Sequence, residues 1–163
     1  MMAAAVAQAE DNAAFAREHR PLLEKWAQYL LQNGLDPDDQ LCTDDFAGHL
    51  AHNCNLSIKA IMGLAGYARL CRQWNDTEQA ELYREAAAEM AAVWLQKAAN
   101  GDGSFRLAFD RPDSYSMKYN AVWDRIWGTG LFPQEILDAE VASYTSHLNP
   151  YGLPLDDRAD YTK

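Results

Sequence analysis

The sequence predicts an all-α protein built from helical hairpins, and three observations carry that prediction. Apolar residues recur at three- and four-residue spacing, as in Leu23, Trp26, Ala27 and Leu30, which is the period of an amphipathic helix and not the alternation of a strand. Asn-Gly pairs at 33–34 and 100–101 end two such runs, where helix C-caps are expected. A unit also recurs at a period of about 60 to 70 residues, in the manner of helical-hairpin repeats. It consists of an apolar inner helix, a short turn, an amphipathic outer helix ending at Asn, and a long loop. Residues 1–163 are therefore read as a single helical domain.

The elements follow in order. Residues 1–8 form an Ala-rich helix with no capping residue, which suggests a piece of a longer protein. Asp11 is the expected N-cap of a helix over 12–18. Pro21 sits where a helix start tolerates proline, and Leu22, Leu23, Trp26, Ala27 and Leu30 form the inward face of the next helix. A long helix over 45–73 follows. Its later part, AIMGLAGYA, is apolar on nearly every side, so it is an inner helix. Residues 77–98 form an outer helix with Leu82, Ala86, Met90, Val93, Trp94 and Ala98 inward. Residues 102–117 lack a period and read as a loop, with room for a hairpin over 104–109. A short helix over 119–129 carries Val122, Trp123, Ile126 and Trp127, with the two tryptophans read as core. Pro133 opens the last helix, with Ile136, Leu137, Val141 and Tyr144 inward.

Composition narrows the partners. The 24 acidic against 14 basic residues give a formal charge of -10, which repels phosphate backbones and anionic lipid, so neither nucleic acid nor membrane is an expected partner. A content of 48% apolar and 23% charged residues is that of a globular chain. Cys42, Cys54 and Cys71 match no metal-ligand spacing.

The densest polar stretch is LCTDDFAGHLAHNCN at 41–55. On a helix starting at Asp45, the side chains of Asp45, His49, His52 and Asn53 would share one face. Asp-x-x-x-His-x-x-His could supply metal ligands, but HExxH is absent, and Asp36-x-Asp38 and Asn100-x-Asp102 lack the glycine and terminal glutamate of a calcium loop. The plainer reading has the histidines donating to carbonyls or carboxylates while Asp44 or Asp45 caps the helix. No metal or cofactor is expected. Three loops share a Leu-x-x-Asp pattern, Leu41 to Asp44, Leu107 to Asp110 and Leu153 to Asp156, and antiparallel hairpins would bring all three to one rim. Paired carboxylates are a common apparatus of hydrolysis. Asp44 and Asp45 are adjacent and point apart, so one of them would pair across the rim with Asp110, Asp124 or Asp156. Lys118 either binds a carboxylate or carbonyl or forms a surface salt bridge.

HRPLLEKWAQYL, LCTDDFAGHLAHNCNLSIKAIMGLAGYA, SMKYNAVWDRIWG, LFPQEI and YGLPLDDRADYTK, in this order, resemble the glutaminase A-like family from about residue 19 to 163. The resemblance implies part of an (α/α)6 toroid of six helical hairpins, with its active-site funnel where the inner helices begin. It implies a fragment of a glutaminase-like amidohydrolase, inactive alone, acting on a small-molecule amino acid amide. Asp44, Asp45, Asp124 and Asp156 are the candidate catalytic acids. His49, Asn53, Lys118, Tyr119, Asn120 and Arg158 are the candidate substrate-binding residues. A sugar-directed hydrolase or binding domain, or a non-enzymatic helical-hairpin interaction module, are the rivals, because a fold alone does not set function. A partial ring would leave apolar edges open, so the chain is expected to self-associate. Light scattering checks this, and a stable monodisperse monomer would count against it.

Overall fold

The computed structural model describes residues 1–42 and 48–158. Seven α-helices run in order among the described residues: α1 (Met2–Ala9), α2 (Ala14–Glu18), α3 (Arg20–Asn33), α4 (Cys54–Gln73), α5 (Thr77–Lys97), α6 (Val122–Trp127) and α7 (Gln134–Ser143). A 3-10 turn, Tyr119–Ala121, leads into α6, and another, Tyr144–His147, extends α7. Strand-like pairing among these residues is limited to isolated bridges, so the chain is all-α.

Helix α4 is the inner helix and the centre of the packing. Fifteen of its 20 residues are buried, including Ile58, Ile61, Met62 and Leu64 in its first half and middle and Tyr67, Leu70 and Cys71 further along. Small residues let its neighbours come close: a methyl on Gly66 would lie 2.9 Å from the Trp127 ring and 3.2 Å from Ala4 Cβ. α3 packs against one side, and α5 returns antiparallel after a three-residue turn in which Asn75 takes a left-handed conformation. Asp76 caps α5, accepting from the Gln79 N–H at 3.3 Å. It also pairs with Arg20, which lies over the Trp74 ring at 5.1 Å. This turn marks the far end of the hairpin. The other end gathers the start of α4, the end of α5 and the loops between them.

Several expectations about faces and boundaries are corrected. α4 begins at Cys54, not at residue 45: Gly48 and His52 have left-handed backbones, and Asn53 caps the helix by accepting from the Leu56 N–H at 2.8 Å. Asp45, His49, His52 and Asn53 therefore share no helical face. Asn12, not Asp11, supplies the oxygen for the first N–H of α2. On α5 the buried face is Ala80, Tyr83, Ala87, Met90, Ala91 and Trp94, with Leu82 and Val93 exposed. The edge-on contact of Tyr83 with Tyr67, centroids 4.8 Å apart, turns the helix that way. On α3 only Ala27 is buried, and Leu22 and Trp26 face outward. Val122 and Ile126 of α6 are exposed while Trp127 is core. On α7 Val141 is 62% exposed and Glu140 is buried in its place. The 104–109 hairpin is replaced by single bridges, Ala99 with Phe105 and Asn53 with Ala108.

The glycines of α4 give a test of its close packing. Alanine has the higher helix propensity by about 1 kcal/mol, while overpacking a filled core costs about 1–3 kcal/mol. At Gly63 the added methyl meets only the terminal methyl of Leu30, which can rotate away. Gly63→Ala is expected to be near neutral and Gly66→Ala destabilising by about 1 kcal/mol, read by urea unfolding. A Gly66→Ala chain as stable as the parent would contradict the packing described.

Candidate functional site

Three segments distant in sequence meet where α4 begins. Cys54 N–H donates to Leu107 O at 2.9 Å and Phe109 N–H to His52 O at 2.9 Å, joining the loop after α5 to the approach to α4. Ser116 pairs with Asp156, and Met117 N–H donates to Leu155 O at 2.9 Å, which joins the C-terminal segment to the same loop. These contacts bring Leu107 and the Leu153 to Asp156 segment to the end of the hairpin where residues 48–53 lead into α4.

Asp156 is buried and holds Arg158 in a fork. Its Oδ1 accepts from the Arg158 backbone N–H and Nε, each at 3.0 Å, and Oδ2 accepts from Nη2 at 2.6 Å. Bidentate pairing of this kind fixes the plane of a guanidinium as well as its charge. Beside it stands Cys42, whose thiol accepts from the Asn53 amide at 3.4 Å. Burial pushes that thiol up, with Arg158 opposing the shift. Asn53 thus caps α4 with its oxygen and touches Cys42 with its nitrogen. Two residues along, Asn120 clasps Asn55 twice, its amide donating to Asn55 O at 3.1 Å and its backbone N–H to Asn55 Oδ1 at 3.3 Å. This clasp docks the start of α6 on α4.

Lys118 lies inside the structure, 5% exposed. Its ammonium donates to Ser116 O at 2.7 Å, Phe105 O at 3.0 Å, Ser116 Oγ at 3.1 Å and Glu140 Oε1 at 3.3 Å. Four acceptors share three protons, so this lysine is a buried tie and not a surface salt bridge. Burial lowers its pKa while the Glu140 carboxylate resists the shift. The same environment pushes the neighbouring Cys54 thiol up to about 12, chiefly by burial.

The remaining candidates fall as follows. Asp44 and Asp45 lie outside the described residues. His49 is exposed and its backbone pairs with Leu41. Tyr119 opens the 3-10 turn and lines a groove of about 450 Å³ with Val122, Leu137 and Tyr144. Asp124 is fully buried, and its Oδ1 accepts from Thr129 Oγ1 at 2.5 Å and Leu131 N–H at 2.8 Å, closing the turn after α6. Among the described residues it shares no hydrogen bond with Asp156. No group of three or more His, Cys, Asp and Glu there is arranged to hold a metal. Glu140, Tyr144 and Asn55 were missed in the sequence. For Glu140 the signal was present, since it sits between Leu137 and Tyr144 at i+3 and i+4, on the stripe expected to face inward.

A family described as the glutaminase A six helical-hairpin domain matches residues 1–163. Glutaminase A of Aspergillus oryzae (strain ATCC 42149 / RIB 40) is 32% identical over 166 residues, covering 100% of this chain and 24% of that protein. A protein named Probable glutaminase/05536 from Arthroderma benhamiae (strain ATCC MYA-4681 / CBS 112371) is 27% identical over 170 residues, covering 87% of this chain and 20% of its own length. The chain thus spans a quarter or less of the length of these curated relatives. No solved structure matches it.

At the edge of the site, Asp36 bridges His52 Nδ1 at 2.7 Å and Lys97 Nζ at 2.8 Å. Burial alone would raise the Asp36 carboxyl, but Lys97 and His52 overcome it and hold it below the usual range. The hydrogen bond to Asp36 in turn raises His52. The raised histidine contributes stability that is present below its unfolded pKa and lost as pH rises through the folded value. The depressed aspartate contributes stability that is present above its unfolded pKa and lost as pH falls through the folded one. The pair therefore favours the mildly acidic interval between the reference values of about 3.9 and about 6.5. NMR titration should place His52 above about 6.5, with Asp36→Asn returning it toward that value. An identical His52 titration in the variant would refute the coupling.

Proposed function

Since the chain belongs to the glutaminase A six helical-hairpin domain family, we propose that residues 1–163 form one wall of the active-site funnel of a glutaminase-like amidohydrolase. The substrate class is glutamine or a similar small side-chain amide. In this reading the chain is a portion of a larger six-hairpin toroid. One observation carries the placement of the site: Asn53, Cys42 and the Asp156–Arg158 fork, drawn from separated segments, meet at the start of the inner helix.

The chemistry needs a carboxylate near water and a cation near the substrate. A rim carboxylate takes a proton from water as the water oxygen bonds to the amide carbon. The tetrahedral oxyanion then collapses, the C–N bond breaks and the nitrogen takes up that proton, so that ammonia leaves and the product is a carboxylic acid. Asp156 is the candidate acid supported by its position beside the start of α4, with Asp44 and Asp45, between Cys42 and Gly48 in the sequence, as its companions. Arg158, oriented by Asp156, suits the α-carboxylate of an amino acid, because a guanidinium meets a carboxylate in a planar fork. His49, exposed on the approach to α4, is the substrate-facing residue there, while Asn53, buried, holds Cys42 and the helix start in place. Lys118 and Asn120 act from behind by holding the loops in place.

In the longer parent protein, Asp156→Asn is expected to lower kcat/KM for glutamine by about 10²-fold or more, with the fold checked by circular dichroism. A folded variant with unchanged activity would remove Asp156 from the chemistry. The 163-residue chain alone is expected to release no ammonia from glutamine, and turnover by it would overturn the funnel-wall reading. Thermal stabilisation of the parent by oligosaccharides and not by glutamine would replace the amidase reading with a sugar-directed one.

A further inference from the structure

Glu140 lies on α7, outside every motif that marks the site, yet its carboxylate is spent on the loops that build the rim. Oε2 accepts from the Phe105 backbone N–H at 2.8 Å. Oε1 accepts from Lys118 Nζ at 3.3 Å and from the Tyr144 hydroxyl at 3.1 Å, and that hydroxyl oxygen also accepts from the Lys118 backbone N–H at 2.7 Å. No bond of this set belongs to a regular helix or sheet. Three of the four take a polar group of the irregular 98–118 segment and tie it to α7 or to the 3-10 turn that extends it, and the fourth, from Tyr144 to Glu140, braces the receiving side.

The tie reaches the rim by direct contacts. The Lys118 ammonium bonds Ser116 at both its carbonyl and its hydroxyl. Ser116 pairs with Asp156, and Asp156 forks Arg158 beside Cys42. On the other branch, Phe105 is two residues from Leu107, whose carbonyl receives the Cys54 N–H at the start of α4. Both branches begin at one carboxylate. A pair serving stability alone has no need to hold two points of one irregular segment 13 residues apart, Phe105 and Lys118, and an apolar pair would often serve a core as well.

We propose that Glu140 is a positioning residue of the rim: through Lys118 and the Phe105 N–H it sets the placement of Asp156, Arg158 and Cys42. Only the kinetic part of its test rests on the amidohydrolase reading.

Two variants address it. Glu140→Gln keeps the shape but has one acceptor oxygen where Glu140 has two, so an amide N–H faces Lys118 or the Phe105 N–H. The double variant Lys118→Met with Glu140→Gln leaves no unpaired buried charge, so it is suited to stay folded while lacking the ammonium tie. Maleimide labelling of the 163-residue chain, read by peptide mapping, reports the rim through Cys42, with the buried Cys54 and Cys71 as internal references. Labelling of Cys42 is expected to speed up about fivefold or more in both variants, since thiol reactivity follows access and the surrounding charge. In the longer parent, kcat/KM for glutamine should fall roughly 10²-fold, with kcat lowered as Asp156 shifts and KM raised as Arg158 shifts, the signature of misplaced rather than missing groups. Wild-type labelling and kcat in a folded double variant would overturn the proposal. So would failure of both variants to fold, which would assign the pair to the fold as a whole. A wild-type parent inactive on glutamine, with the Cys42 change present, would sink the amidase reading and support the positioning role.

Discussion

Helix α4 is buried over most of its surface, and the rest of the molecule follows from how that burial is achieved. Fifteen of its 20 residues are buried, with Lys59 and Arg69 the charged side chains that reach its surface before the last turn, so most of the polar contacts that bind it to other segments gather at its ends. At the far end the chain turns quickly into α5, with Asp76 and Arg20 closing the corner. At the near end, the first N–H groups of the helix need acceptors in a place where water is partly excluded. Asn53 answers one of them, and Leu107 O takes the N–H of Cys54. The same requirement that ends the helix therefore draws the loop after α5 onto it. Trp94, near the end of α5, adds a bond from its indole N–H to Cys54 O at 2.9 Å, which locks both helices of the hairpin at this level.

Those loops have little regular structure, and their polar groups are satisfied by side chains. Lys118 and Glu140 supply the buried, charged share of these bonds, and Asn100, Ser114, Asp102 and Arg106 supply others. Withdrawing an ammonium and a carboxylate from water costs several kcal/mol each, and their attraction offsets it only with excellent geometry and filled hydrogen bonds. Here four acceptors surround the ammonium and three donors meet the carboxylate. Removing one partner of such a pair costs about 3–5 kcal/mol because the other charge is left stranded. The pair thus discriminates strongly among loop arrangements even where its net contribution to stability is small, which is what a rim assembled from separated segments requires.

Helix type and order were legible because period and capping are local. Alanine-rich composition marked α1 and apolar spacing marked α3, α4, α5 and α7, and the Asn-Gly stop after α3 and the Pro21 start of that helix stand where expected. The start of α4 was misjudged because an acid before an apolar run looks like a cap. Asn53, eight residues later, is the residue whose side chain reaches the helix. Faces were less legible than helices. Leu82 and Val93 are as apolar as any core residue, yet Tyr83 and Ala87 are the ones buried, since the neighbour's shape selects the face on an Ala-rich helix. The gathering of Leu-x-x-Asp loops was visible as a pattern, but which acid stands at the rim was not. Asp124 and Asp156 are both nearly solvent-free, and one closes a turn while the other orients Arg158.

The order of residues was enough for the helical class, the inner and outer roles of α4 and α5, the kinship with six-hairpin domains, and the stretch around Asn53 as polar ground. Those properties are carried by local spacing and by motifs that survive without knowledge of neighbours. Tertiary structure alone decided that Lys118 faces inward, that Glu140 replaces Val141 on the buried side of α7, and that Asp156 meets Arg158 beside Cys42. Each of these depends on a charge finding its partner across 2, 22 or more than 100 residues of chain. The cost of leaving a buried charge or N–H unpaired is set by what surrounds it, which no local pattern records.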